Sequence, residues 1–155
     1  GFMMIDINEL KSQILMDGLE EENLKKIAEF VELVRFSRGD NIFKEGDPTK
    51  GIYMVRKGSV EINKVTPDGW KQKLALLKEN HCLGELSVVE DKETHGANAE
   101  VLEDAELFLI AKEKFIEMET TDPSLMAKIM KTIARVASRN VHLMNDKLVK
   151  LLISY

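Results

Sequence analysis

Residues 83–99 contain two short segments, Leu83-Gly84-Glu85-Leu86-Ser87-Val88-Val89 and His95-Gly96-Ala97-Asn98-Ala99, that decide how the rest of the sequence is interpreted. Because glycine lacks a Cβ atom, Gly84 allows a left-handed turn and a close approach to the backbone. Residues 85–89 suit one helical turn, whose first amide groups have no intrahelical acceptor and attract an anion. The second segment alternates between small apolar and polar residues, which predicts a half-buried strand. Together they predict a helical turn, a polar loop and a returning strand that hold a phosphate between them.

Short apolar strands separated by turn residues precede this region. From residue 34 the hydrophobic period is two, and Gly-Asp and Asp-Gly pairs mark the turns. Val60 and Ile62 are predicted to face inward and Asn63 outward. Leu74 and Leu76 repeat the inward pattern after a tight turn. Many short strands at this spacing predict a sandwich or barrel.

Helical patterns flank the strands. Apolar spacing predicts one helix over residues 5–16 and a second over residues 20–31. A helix begins again over residues 112–118. The last helix is predicted to begin at Pro123, because proline is favoured at the first helical position, and to run to about Leu152.

Two apolar stripes run along this last helix. A helix with two apolar faces needs two partners, so we expect the β domain to cover one and a second copy of the chain the other. The alternative is that both stripes pack within a monomer, since spacing alone does not identify the partner. The heptad stripe consists of Met130, Ile133, Ala137, Val141, Met144, Leu148 and Leu151, and the second stripe of Ile129, Val136 and Leu143.

Three motifs in order resemble the cyclic-nucleotide-binding domain family. Residues 38–48 are similar to its first hairpin, residues 51–61 to the next, and Gly84-Glu85-Leu86-Ser87 to its phosphate-binding cassette. The spacing resembles that of the catabolite-activator type of regulatory domain. The resemblance implies a mainly β fold with flanking helices: a double-stranded β-helix, or jelly-roll β-roll, with two N-terminal helices and a long C-terminal helix. The implied bounds are 1–32 for the N-terminal helices, 33–111 for the β-roll with the cassette at 83–99, and 112–155 for the C-terminal helices, including the long dimerisation helix.

The resemblance also assigns residues to a site for cAMP or cGMP. The Glu85 and Leu86 amides are expected to face the phosphate, and the Glu85 carboxylate to accept from the ribose 2′-hydroxyl. Ser87 donates to the anion or caps the turn. Base contacts are expected from the long helix, where Arg135 and Ser138 are further candidates. The residues expected at the site are Gly84, Glu85, Leu86, Ser87, His95, Gly96, Ala97, Arg139 and Asn140.

His95 occupies the position at which the family has an arginine that pairs with the cyclic phosphate. Arginine gives a permanently charged bidentate fork, whereas an imidazole is mostly neutral at pH 7. If His95 replaces the arginine, a bound anion raises its pKa, and nucleotide binds more tightly at pH 6 than at pH 8. The alternative is an exposed loop histidine beside the charged run at residues 90–93.

Two functions remain open at this stage. The first is a regulatory module that senses a cyclic nucleotide or another anionic ligand. The second is a degenerate domain that no longer binds nucleotide and serves as a protein-interaction or dimerisation module, with a downstream partner that the sequence does not identify. We expect no enzyme, because no nucleophile motif is recognisable, and no metal site, because histidine and cysteine do not cluster.

Composition limits the partners. The chain has 155 residues and a net charge of −5, which gives no electrostatic footprint for nucleic acid or an anionic membrane. A single cysteine, Cys82, excludes an internal disulfide and favours a cytoplasmic location, and we expect it to be a buried, inert thiol. No apolar run reaches the ~18 residues of a membrane span. In transcription factors of the family a DNA-binding domain follows the long helix, and since the sequence ends at Tyr155 we expect no sequence-specific DNA binding.

Overall fold

The computed structural model describes residues 5–154. Short helices precede an antiparallel sheet, and longer helices follow it. A 3₁₀ turn lies at Ile14–Met16. The helices and strands are α1 (Ile7–Lys11), α2 (Glu21–Ala28), β1 (Val31–Phe36), β2 (Asn41–Phe43), β3 (Gly51–Val65), β4 (Lys71–Leu77), β5 (Cys82–Leu83), α3 (Glu85–Val89), β6 (Asn98–Ala111), α4 (Lys112–Thr121) and α5 (Pro123–Ile153).

The first helix is shorter than the apolar pattern predicts. It begins after Asp6, whose carboxylate accepts a hydrogen bond from the Asn8 amide at 2.8 Å and so caps the helix. The predicted continuous helix over residues 5–16 is wrong. The Ile14 amide donates to the Asn80 carbonyl at 3.0 Å, a contact outside the helix that turns the chain into the 3₁₀ segment.

The second helix also ends earlier than predicted. It begins with a capping box, in which the Glu20 amide donates to the Asn23 side chain at 3.3 Å. α2 ends at Ala28, whereas the sequence predicts residue 31. Val31 is instead the first residue of β1 and pairs with Ile110, in line with the preference of its β-branched side chain for a strand.

The sheet is organised around two long strands, β3 and β6. They are antiparallel neighbours, and β6 also pairs with β1 and β2 while β3 also pairs with β4 and β5. The main strand order is β1-β6-β3-β4. The predicted mainly β fold with flanking helices is therefore confirmed.

The core has two parts. One lies inside the β-roll, and the other lies where the N-terminal helices, α4 and the first half of α5 pack against the sheet. The stretch 107–110, which is apolar on both faces, contributes to both clusters. Fully buried members of the helical cluster include Leu10, Leu24, Met118 and Ile129, and those of the roll cluster include Val55, Val60 and Leu107.

The β3–β4 hairpin departs from the predicted pattern. Leu74 and Leu76 are exposed, at 54% and 39%, whereas Asn63 is only 1% exposed. The register shifts between Ile62 and Asn63, which leaves Leu74 outside the ladder as a β-bulge. β4 is also the last strand in the order, so no further strand covers it. The predicted inward orientation of the two leucines and the outward orientation of Asn63 are both wrong.

The last helix, α5, divides into two halves with different surroundings. Asp122 caps it by accepting from the Leu125 amide at 3.1 Å, and Pro123 occupies its first turn as predicted. Its 31 residues give a length of about 46 Å. Leu125, Met126, Ile129 and Ile133 are buried, whereas the apolar side chains from residue 141 onward are exposed. Among residues 5–154, no helix is long and apolar enough to cross a bilayer.

Candidate functional site

The cassette begins at a left-handed glycine. Gly84 has φ +84°, and a Cβ atom placed there would lie 2.4 Å from the carbonyl oxygen of Gly51. Only glycine fits both the conformation and this approach to β3. The first backbone bond of α3 runs from the Val88 amide to the Gly84 carbonyl at 3.2 Å. The amides of Glu85, Leu86 and Ser87 precede it at the start of α3, where helix geometry provides no acceptor. That the Glu85 and Leu86 amides face a phosphate remains a prediction.

The loop after α3 is fastened to the chain before β3. The Lys92 amide donates to the Ser87 carbonyl at 2.9 Å and closes the helical turn. Thr49 then holds the loop twice, since its amide donates to the Glu93 carbonyl at 2.9 Å and its hydroxyl to the Lys92 carbonyl at 2.8 Å. The predicted returning strand is therefore brought back beside the Gly84 turn by contacts to backbone carbonyls, which the local sequence does not reveal.

His95 lies inside this arrangement. Its side chain is only 2% exposed, and its ring stacks on Phe43 with centroids 3.6 Å apart and planes inclined by 8°. Its Nε2 accepts a hydrogen bond from the Lys50 amide at 3.2 Å. The ring also stands behind the cassette turn, with Cε1 3.6 Å from the Cβ position of Gly84. The interpretation of His95 as an exposed loop residue is wrong, because Phe43 and the chain before β3 cover it.

The surroundings of His95 favour the neutral imidazole. Burial lowers the pKa of His95 below its ordinary value, Asp47 opposes that shift, and the charge of Lys50 adds to it. The amide contact has the same consequence, because an Nε2 that accepts from Lys50 carries no proton. In this state Nε2 supports the loop and is not a donor to a phosphate.

Glu85 and Cys82 form a half-buried pair below the turn. Burial raises the pKa of the Glu85 carboxyl, against the effect of hydrogen bonds from its own amide and from the Cys82 thiol. Burial and the Glu85 charge both raise the pKa of Cys82, which keeps the thiol protonated and is in line with the predicted inert cysteine. The acceptance of a ribose hydroxyl by Glu85 remains a prediction.

The other predicted site residues differ in exposure and place. Leu86 and Gly96 are exposed, while Ser87 and Ala97 are half-buried. Arg139 and Asn140 lie on the exposed part of α5. Within residues 5–154, no hydrogen bond or ion pair joins either of them to the cassette. Their predicted role at the base remains a prediction.

Two parts of the site were not found by sequence reasoning. The contacts of Phe43 and Lys50 with the His95 ring were not predicted, because the local sequence does not indicate which residues 45 or more positions apart come together. Asn63 was also missed: it accepts from the Asn98 side chain at 3.1 Å and donates to Glu61 at 3.1 Å, which explains why a polar side chain is buried there. In the described part of the chain, no three His, Cys, Asp or Glu residues are grouped as metal ligands.

Comparisons with known proteins identify the family. Residues 33–122, more than half of the chain, match the family model of the cyclic nucleotide-binding domain. The chain is 26% identical over 126 residues to the Cyclic AMP receptor protein of Thermus thermophilus, covering 81% of this chain and 58% of that protein. It is 30% identical over 90 residues to the Anaerobic regulatory protein of Bacillus subtilis, covering 58% of this chain and 38% of that protein. The chain thus spans less than two thirds of either relative.

Solved structures share the fold. The Catabolite Activator Protein of Thermus thermophilus superposes with a TM-score of 0.75 at 24% identity, over 90% of this chain and 63% of that chain. A cyclic nucleotide-binding domain from Methylobacillus flagellatus superposes with a TM-score of 0.82 at 16% identity, over 92% of this chain and 82% of that one. The predicted jelly-roll fold is confirmed. The chain therefore belongs to the cyclic nucleotide-binding domain family, and its type is that of the catabolite-activator regulatory domains.

Proposed function

We propose that this domain is a regulatory module that binds a cyclic nucleotide, cAMP or cGMP, at the start of α3. One observation carries the proposal: the Gly84 turn is intact, so the first amides of α3, including that of Leu86, have no intrahelical acceptor and lie next to the Glu85 side chain. The affinity is expected to be lower than with an arginine at position 95. A charge-assisted hydrogen bond contributes about 1.5–3 kcal/mol, so its absence weakens binding about tenfold to a hundredfold.

Dimerisation through α5 is the second part of this proposal. Val141, Met144, Leu148 and Leu151 of the heptad stripe are exposed in the single chain, with Met144 at 69%. A second copy of α5 supplies a complementary apolar stripe. Nucleotide at the cassette then shifts α5 only as far as its preference for one state of the dimer allows.

A non-binding interaction module is the alternative function, and one observation favours it. The residue in place of the arginine is buried, and its Nε2 accepts from the Lys50 amide. In this alternative the Gly84 turn has only a structural role, and the domain acts through the dimer surface of α5. The downstream partner is then a protein that recognises the dimer.

Titration calorimetry with cAMP and cGMP at pH 6 and pH 8 separates the two. Micromolar binding supports the sensor, and Glu85→Gln then weakens it about tenfold through loss of a charged acceptor. Glu90→Gln, at the exposed end of the same helix, is the matched control and leaves the affinity unchanged. No heat with either nucleotide at either pH contradicts the sensor and leaves the interaction module. Because His95 is neutral and engaged, we expect similar affinities at the two pH values; tighter binding at pH 6 would show that the ring turns to the phosphate.

A further inference from the structure

A small cationic cleft lies away from the cassette, where the N-terminal helices meet α5. Its volume is about 190 Å³, which is below the ~300 Å³ of ordinary small-molecule pockets and suits a compact ligand. One wall is the end of α1 with the 3₁₀ turn, and the other is the middle of α5. The lining residues used below are Lys11, Gln13, Asp17, Thr132, Arg135 and Arg139.

The cleft is cationic although the chain as a whole is acidic. The chain has 27 acidic against 22 basic residues, yet the cleft holds the three cations Lys11, Arg135 and Arg139 against one carboxylate, Asp17. None of these cations has an ion-pair partner among residues 5–154. The Arg135 guanidinium lies over the turn after the 3₁₀ segment, with Nη1 3.8 Å from the Cβ position of Gly18. Three cations that outnumber the one carboxylate and form no ion pair with it favour a bound anion.

Gln13 adds a second, independent requirement. Its side chain is buried, and its Nε2 donates to the Val55 carbonyl at 3.0 Å, which fixes the orientation of the amide. Its Oε1 is buried without a hydrogen-bond partner among the described residues. A buried acceptor that lacks a donor is costly, and such groups in native proteins usually have a partner. A ligand that fits the cleft therefore offers acceptors to the cations and one donor to Gln13.

The neighbouring hydroxyls do not supply that donor. Ser12 Oγ donates to the Asn8 carbonyl at 3.2 Å, and Thr132 Oγ1 donates to the Lys128 carbonyl at 3.1 Å or to the Asp17 carbonyl at 3.4 Å. Both hydroxyl protons are thus directed at backbone carbonyls and not at Gln13. Neither hydroxyl satisfies Gln13 Oε1, which leaves this acceptor open to a donor on a ligand.

We propose that this cleft binds a phosphate dianion, either free phosphate or a compact phosphate monoester that carries a hydroxyl group. The phosphate oxygens accept from Lys11, Arg135 and Arg139, and the P–OH or the alcohol hydroxyl donates to Oε1 of Gln13. Occupancy joins α1 to α5 and removes the mutual repulsion of the three cations. The cleft is thereby a second ligand site, separate from the cassette, at the base of the exposed half of α5.

The test is an NMR titration of the ¹⁵N-labelled chain with inorganic phosphate, sn-glycerol 3-phosphate and sulfate at pH 7. We expect saturable shifts of the Gln13 side-chain amide and the Arg135 Nε–H. Sulfate has the size and charge of phosphate but no proton to donate, and we expect it to bind about tenfold more weakly. Tighter binding of glycerol phosphate identifies a monoester as the ligand, and tighter binding of inorganic phosphate identifies free phosphate.

Variants locate the binding. Lys11→Gln/Arg135→Gln is expected to weaken phosphate at least tenfold, since it removes two charged donors. Lys147→Gln/Lys150→Gln removes the same charge from the exposed end of α5 and is expected to leave binding unchanged. Equal losses in both pairs would overturn the proposal in favour of general electrostatic attraction. Shifts confined to the amides of residues 84–87, sulfate binding as tight as phosphate, or no saturation at millimolar phosphate would each overturn it as well.

Discussion

The cassette buries a polar side chain, whereas the outer half of α5 exposes apolar ones. Behind the cassette turn a histidine is 2% exposed, whereas on α5 a methionine of the heptad stripe, Met144, is 69% exposed. His95 is buried because it finds both an aromatic face and an amide donor for its nitrogen. Met144 is exposed because the roll ends beneath the first half of the helix. Burial thus follows the availability of a partner more than the polarity of the residue.

The same contrast exists within α5 itself. Ile129 and Leu148 both belong to apolar stripes of one continuous helix, yet Ile129 is fully buried and Leu148 is exposed. Only the first half of the helix has α1, α4 and the sheet beneath it. The hydrophobic period therefore predicts an amphipathic helix but leaves the partner of its outer half undetermined within one chain.

The largest effect is expected from Leu148→Asp, which tests whether a second copy covers the outer half. An unpaired carboxylate buried in the proposed dimer costs about 3–5 kcal/mol, so the dimer dissociation constant rises a hundredfold or more. His142→Asp adds a carboxylate on the far side of the helix and is the matched control. Light scattering over a concentration series measures both. A monomeric wild-type chain at all concentrations, or a dimer unchanged by Leu148→Asp, would remove the dimer from the proposal.

An intermediate effect is expected in the cassette, where Gly84→Ala lowers the free energy of unfolding. A non-glycine residue in the left-handed region costs about 1–2 kcal/mol, and the added Cβ also lies 2.4 Å from a backbone oxygen. Relief of that contact costs a further 1–3 kcal/mol or so. Gly39→Ala has a similar φ of +90° with no atom within 4 Å of the Cβ position, so it reports the conformational cost alone. Denaturant unfolding of the two variants gives the difference, and equal losses would show that the turn yields without strain.

Sequence and structure agree best where the signal is local. The Gly84 turn, the Pro123 helix start and the long amphipathic α5 were predictable, because each depends on backbone freedom or on a period within a few residues. The prediction that Leu74 and Leu76 face inward was wrong because a bulge at Leu74 changes the orientation of the neighbouring residues. The interpretation of His95 as an exposed loop residue was wrong because the groups that cover it, Phe43 and the Lys50 amide, are distant in sequence. The ligand-contacting roles of Glu85 and Arg139 stay predictions, since sequence spacing and the fold of one chain do not position a nucleotide.

The smallest effect is expected from pH, and it tests whether His95 is buried in its neutral form. Burial lowers the pKa of His95 in the folded state below the ordinary 6.5. As the pH falls from above 6.5, the unfolded chain therefore takes up the proton first, and the free energy of unfolding decreases until the pH has passed the folded pKa. In His95→Gln this dependence is expected to disappear, while the exposed histidine variant His81→Gln retains it.

Urea unfolding between pH 5 and pH 7 measures this slope for the wild type and both variants. Glu85 contributes the opposite sign, because its raised pKa in the folded state favours proton uptake by the native protein as the pH falls. That contribution is common to all three proteins, so the difference between their slopes isolates His95. Equal slopes in the wild type and His95→Gln would mean that the imidazole is as accessible folded as unfolded. His95 would then not be a buried polar residue that contrasts with the exposed apolar residues of α5. Its imidazole would be available to bind a phosphate.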